Sequence, residues 1–207
     1  MNELKPGRGT ARNRGDLRLA VFASGGGSNL QALIDATKSG VIKGRVGAVI
    51  SNNSGAYALA RAANENIPAF HISGKTHPEP ENFIGTTLDV LETNGINLIV
   101  LAGYMKLLPP EVIRRYRYRI INIHPALLPK YGGKGMFGLI VHKAVLDAGE
   151  KISGATVHMV DETYDHGVIL IQRTVPVLPG DSPETLAARV LEVEHRILPQ
   201  AAGMFLC

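Results

Sequence analysis

Cysteine is nearly absent: of 207 residues only Cys207, at the last position, is one. A single cysteine cannot close an intramolecular disulfide or build a cysteine zinc site within one chain, and it fits a reducing cytoplasm. Long hydrophobic runs are missing too, since none approaches the roughly 20 residues that span a bilayer. The lead "MNELKPGRGTARNRGD" has no apolar core run, so it reads as neither a signal peptide nor a membrane anchor. Charge of one sign is scarce. The net charge is +4, and its local source is the first eighteen residues, where Lys5, Arg8, Arg12, Arg14 and Arg18 crowd among Gly and Pro. Residues 1–18 are therefore expected to form a basic disordered tail. The remaining body is nearly neutral, which argues against a nucleic-acid-binding face, because phosphate backbones demand clustered Lys and Arg. There is no repeat at fixed spacing and no low-complexity segment beyond the tail.

What is there suits one compact domain, expected over residues 19–207, with 45% hydrophobic residues to fill its core. Short apolar runs alternate with longer amphipathic segments, the pattern of βα units around a mostly parallel sheet. "RLAVFAS" (18–24), "RVGAVISN" (45–52), "AFHI" (69–72) and "INLIVLAG" (96–103) read as strands. Helices are expected after each: from Ser28 or Asn29 as cap, over "AYALARAANENI", from Phe83 to Thr93, and over "PPEVIRRYR". Later the pattern changes. "GATVHMV" and "GVILIQRTVPVL" read as strands joined by the short "DETYDH", which favours an antiparallel hairpin. A last helix begins near Asp181 or Ser182 with Pro183 in its first turn. The fold class is thus α/β, a single Rossmann-like domain with a mostly parallel twisted sheet, helices on both faces and an antiparallel hairpin in the C-terminal half. Residues 19–120 form its mononucleotide-binding half and residues 121–207 the remainder.

"SGGGSN", Ser24 to Asn29, stands between a strand and a helix, where glycines let free amides approach an anion. The loop lacks the Lys of GxxxxGK[ST], which argues against a nucleoside triphosphate with Mg²⁺. It also departs from GxGxxG, which argues against a dinucleotide. Gly25, Gly26, Gly27, Ser28 and Asn29 suit a single phosphate; the alternative is a tight turn without a ligand.

"IINIHPALLPKYGG" (120–133) starts as a buried strand and ends in polar residues. Alternation puts Asn122 and His124 on one face at the strand's carboxyl end, where α/β sheets bind ligands. Pro125 keeps His124 out of helical geometry. An amide donor beside an imidazole suits acyl-type transfer, in which an oxygen gains charge and a proton moves. The imidazole would benefit from a carboxylate, and Asp161, Glu162 and Asp165 in "DETYDHG" are all available. The alternatives are a strand end with ordinary capping bonds and a solvated acidic turn.

Taken in order, "SGGGSNLQALIDA", "VLAGYMKLLP", "INIHPALLP", "DETYDHGVIL" and "EHRILP" resemble the phosphoribosylglycinamide formyltransferase family, over about Leu19 to Ala202. The resemblance implies a formyl group passing from 10-formyltetrahydrofolate, a co-substrate, to the amine of glycinamide ribonucleotide in purine synthesis, with no metal. It implies that Asn122 and His124 stabilise a tetrahedral intermediate and that Asp165 supports the charged His and assists proton transfer. The glycine loop with Pro125 and Glu194 would hold the ribonucleotide, Glu194 through the ribose hydroxyls. Met105, Lys106, Leu107 and Leu108, with Asn122, Asp161, Glu162 and Asp165, would meet the folate, making residues 121–207 the catalytic and folate-binding half. His142 and His158 are expected to be packed or supporting rather than catalytic. Partners would be small molecules, with no nucleic acid and no membrane, and a homodimer is compatible with the resemblance. The segment "KYGGKGMFGLIVHKAVL" (130–146) is longer than the family's usual loop after the Leu-Leu-Pro motif, which leaves the contacts of Lys134 to Gly138 open, and Lys75 is the nearest candidate for a basic residue toward the folate tail. Formyltetrahydrofolate hydrolase and methionyl-tRNA formyltransferase share this catalytic domain but add a regulatory domain or a barrel, for which this length is expected to leave no room. A non-catalytic nucleotide-binding module is the remaining alternative.

Overall fold

The computed structural model describes residues 16–205. Its first half runs β1 (Leu17–Phe22), α1 (Ser28–Lys38), β2 (Gly44–Ser51), α2 (Tyr57–Asn64), β3 (Ala69–His71), α3 (Pro80–Thr93) and β4 (Leu98–Leu101). Its second half runs α4 (Pro110–Arg115), β5 (Ile120–His124), α5 (Leu139–Asp147), β6 (Ile152–Met159), β7 (Ile169–Pro176) and α6 (Pro183–Gly203). One sheet holds all seven strands in the order β3-β2-β1-β4-β5-β6-β7. Pairing is parallel from β3 through β5. β6 is antiparallel to both β5 and β7, so the expected hairpin is present, and the reversal already begins at β5.

The parallel strands alternate their side chains into two cores, as strands covered on both faces must. Leu19, Val21, Leu98 and Val100 pack with Leu30 and Leu33 of α1 and Val190 and Ile197 of α6. Ala20, Phe22, Ile99 and Leu101 face the other side, against Leu91 of α3 and Val112 and Ile113 of α4. The chain leaves β1 for β2 on one side and reaches β4 on the other. The resulting switch point opens a crevice at the carboxyl ends of β1 and β4.

Several local expectations are corrected. β1 begins at Leu17, so Leu17 and Arg18 belong to the sheet and not to the tail assigned to 1–18; residues 1–15 and Cys207 lie outside the described residues. Ser28 and Asn29 do not cap α1. Gly27 occupies that position in the left-handed region at φ 70°, where no side-chain bond caps the helix. α3 starts at Pro80, three residues before Phe83, because a proline at the first helical position loses no hydrogen bond. For α6 the choice falls on Ser182, which exchanges reciprocal bonds with Thr185, while Asp181 pairs with Arg189 at 2.7 Å.

Candidate active site

β5 delivers Asn122 and His124 to the crevice, and the antiparallel register sets His158 of β6 directly opposite Asn122. The Asn122 Nδ2 donates to His158 Nε2 at 3.0 Å and to Asp165 Oδ1 at 3.3 Å. Asp165 reaches this spot from the β6–β7 turn with a left-handed backbone, φ 53°, a region Asp tolerates better than most residues. Its Oδ2 accepts from the Gly133 amide at 2.9 Å and lies 3.6 Å from His124 Nδ1. Of the three acidic residues of the turn, Asp165 is therefore the one beside the imidazole. Glu162 is exposed, and Asp161 caps the Thr163 amide.

Partners settle the tautomers. His124 Nε2 lies 2.8 Å from the Tyr131 carbonyl, which can only accept, so Nε2 carries the proton and neutral His124 keeps its lone pair on Nδ1. His158 Nδ1 likewise donates to the Met159 carbonyl at 2.7 Å, leaving Nε2 to accept from Asn122. Burial holds the His124 pKa below the ordinary imidazole value; the Asp165 charge and the Tyr131 bond oppose this, and His158 adds to it. Burial works to raise the Asp165 carboxyl, but the neighbouring His158 and His124 rings and the Gly133 amide outweigh it, so its pKa is lowered. The result is a neutral base touching an ionised carboxylate, with an amide donor on the carboxylate's other oxygen.

The glycine loop turns on contacts to α2. Gly25 O accepts from the Ala58 amide at 3.1 Å, and Gly26 O accepts from Arg61 Nε at 2.9 Å. A Cβ on Gly27 would meet Ala58 Cβ at 2.8 Å, whereas Gly25 and Gly26 have open space where a Cβ would stand. Asn29, read from sequence as a phosphate donor, instead turns inward: its Nδ2 donates to Glu194 Oε2 at 2.6 Å, and its buried Oδ1 has no partner. Burial raises the Glu194 pKa, with the Asn29 bond opposing.

A cavity of about 630 Å³ joins these parts. Asn122, His124, Pro125 and Asp165 line it, as do Asn29 and Glu194. Met105, Lys106, Leu107, Leu108 and Asp161 contribute further wall. Gly25, Gly26, Gly27, Ser28 and Glu162 are not part of that wall. Two residues discounted from sequence belong to it, His158 and His142. His158 is reached only through strand register, which sequence spacing does not reveal. His142 sits buried with an unpartnered Nδ1, and burial, reinforced by His124, brings its pKa down to about 4. Among the described residues no group of three or more His, Cys, Asp or Glu is arranged to hold a metal, and no helix is long and apolar enough to cross a membrane. The volume and largely apolar wall, closed at one end by converging polar groups, fit a small organic substrate.

Known proteins are similar to this chain in sequence and in fold. A phosphoribosylglycinamide formyltransferase of Haemophilus influenzae is 43% identical over 191 residues, 91% of this chain and 86% of its own length. A chloroplastic phosphoribosylglycinamide formyltransferase of Vigna unguiculata is 46% identical over 181 residues, 87% of this chain, which spans only 58% of that relative. The crystal structure of glycinamide ribonucleotide transformylase 1 from Symbiobacterium toebii superimposes with a TM-score of 0.87 at 37% identity, covering 98% of this chain and 93% of that one. The family model described as formyl transferase matches residues 17–202, from the first residue of β1 into α6. That span takes in every element that builds the cavity, and on it the chain belongs to the formyl transferase family.

Proposed function

We propose that the protein transfers a formyl group from 10-formyltetrahydrofolate to the primary amine of glycinamide ribonucleotide, a step of de novo purine synthesis. The observation that carries this reading is the convergence of Asn122, His124 and Asp165 at the polar end of one cavity. Similarity to relatives bearing that activity supports it.

Each residue has a task in this reading. Asn122 gives up the longer of its two bonds, the one to Asp165, and turns that N–H toward the formyl oxygen as the amine attacks and that oxygen gains charge. His124 Nδ1 accepts the proton the amine gives up when its new bond to carbon forms. Asp165, ionised beside it, stabilises the imidazolium that results. The same proton is then available to the folate nitrogen as its bond to the formyl carbon breaks. Asn29 and Glu194 lie together along the wall, and the unpartnered Asn29 Oδ1 beside the Glu194 carboxyl suits ribose hydroxyls. The glycine loop offers amides to the phosphate, while Met105, Lys106, Leu107 and Leu108 pack on the folate ring. The partners are these two small molecules, and the near absence of cysteine suits action in a reducing cytoplasm.

The test is direct. Purified protein is mixed with 10-formyltetrahydrofolate and glycinamide ribonucleotide, and release of tetrahydrofolate is followed. Turnover that requires both is expected. Release at the same rate without the ribonucleotide would identify a hydrolase, and no release with both would sink the reading.

A further inference from the structure

Behind His124 lies a hydrogen-bond cluster of Ala126, Leu128, Thr156 and Gln172, none of which lines the cavity. Thr156 of β6 is fully buried. Its Oγ1 donates to the Ala126 carbonyl at 2.6 Å and accepts from the Leu128 amide at 3.2 Å and from Gln172 Nε2 at 2.9 Å. A hydroxyl has one proton and two lone pairs, so this one is saturated. The Gln172 amide is saturated as a donor too, because its other N–H goes to the Leu128 carbonyl at 3.0 Å. Three backbone groups of the segment after β5 are thus fixed to β6 and β7. Farther along, Tyr131 Oη and Lys130 Nζ both donate to Glu150 Oε1, at 2.9 and 2.8 Å. At the second anchor and just past it the chain presents the Tyr131 carbonyl to His124 Nε2 and the Gly133 amide to Asp165.

We propose that Gln172, acting with Thr156, is a positioning residue for His124: it fixes the 126–131 segment so that the Tyr131 carbonyl keeps the imidazole proton on Nε2 and leaves Nδ1 bare toward Asp165. In water a free imidazole exchanges between its two tautomers, and only the one with a bare Nδ1 can take a proton beside Asp165. A tautomer is chosen by the bond the other nitrogen makes. That bond is only as fixed as the backbone carrying the acceptor. Thr156 and Gln172 sit on regular strands, whereas Tyr131 sits on irregular chain, so the order imposed runs from sheet to loop to imidazole. The catalytic meaning of this assignment rests on the proposed formyl transfer; the tautomer itself does not.

The test combines imidazole ¹⁵N spectra of the substrate-free protein with steady-state kinetics. In the wild type, His124 is expected to show a protonated Nε2 and a bare Nδ1. Gln172→Leu should average the two nitrogens and lower kcat about tenfold, the worth of one well-placed hydrogen bond, with KM for both substrates unchanged. Gln172→Met, which keeps the side chain's length, should match it and replaces it should the leucine variant not fold. Thr156→Ser retains the hydroxyl and should restore wild-type spectra and kcat. Wild-type nitrogen shifts together with wild-type kcat in a folded Gln172 variant would overturn the proposal, as would a fall in kcat with the His124 signature unmoved. If the wild type transfers no formyl group yet the spectra differ as stated, the positioning stands and the functional reading fails.

Discussion

Strands β1 and β4 bury almost nothing but aliphatic side chains on both faces, whereas β5, β6 and β7 carry Asn122, His124, Thr156, His158 and Gln172. The first region is held by area removed from water, which is indifferent to orientation. The second is held by groups that must each find a partner, because an unpaired buried donor or acceptor costs more than a made bond returns. Chemistry sits where the sheet reverses direction, since antiparallel pairing alone places His158 opposite Asn122 and lets a short turn return Asp165 to the same spot.

The sharpest way to break this contrast is Asp165→Asn. In the antiparallel region it should cost roughly 10³-fold in kcat, the scale of a lost general acid–base partner, while the melting temperature stays near wild type. A variant that loses most of its stability and little kcat would erase the distinction. Leu98→Ala, at a fully buried site of β4, should do the reverse. It should lose about 3 kcal/mol in urea unfolding through transfer and cavity effects, with kcat of the folded fraction unchanged.

Smaller tests sharpen the boundary. Gly27→Ala forces a side chain into φ 70° and against Ala58, so it should cost about 2 kcal/mol and raise KM for the ribonucleotide. Gly26→Ala, with open space at its Cβ, should leave stability near wild type. His142 ties stability to pH. Its pKa falls from an ordinary 6.5 to about 4 on folding, so between those values the unfolded chain holds a proton that the folded chain lacks. Its contribution is intact above pH 6.5 and declines as pH falls toward 4, so His142→Leu should flatten that part of a stability–pH curve. Least affected should be Arg114→Ala and Lys143→Ala, which remove exposed ion pairs within α4 and α5 and should each cost about 0.5 kcal/mol or less in thermal unfolding.

Much of this was legible in the chain alone. The βα alternation yields the sheet, and two-residue periodicity with Pro125 is enough to place Asn122 and His124 together, because both signals are local. Resemblance alone singled out Asp165; in the structure a left-handed backbone and the Gly133 amide put it there, neither of which spacing encodes. Asn29 was read as facing a phosphate because a glycine loop precedes it, yet its partner Glu194 is 165 positions away. The value of His158 depends on the β5–β6 register, and that of Thr156 and Gln172 on where a loop lies over the sheet. Long-range contacts of this kind are decided by packing, not by neighbours in the chain.

The pairing of Asn122 with His158 also says where this chain can change length. Side chains alternate across a strand, so a one-residue insertion inside β5 or β6 would turn one of the pair to the opposite face and leave the other alone. Between those strands lies the helix α5, followed by an exposed turn at residues 147–149, where added residues leave the register untouched. Drift in length is therefore free to accumulate at that turn and barred within the strands and along residues 126–133, so a chain of this fold can lengthen close to two residues whose partnership cannot shift by a single step.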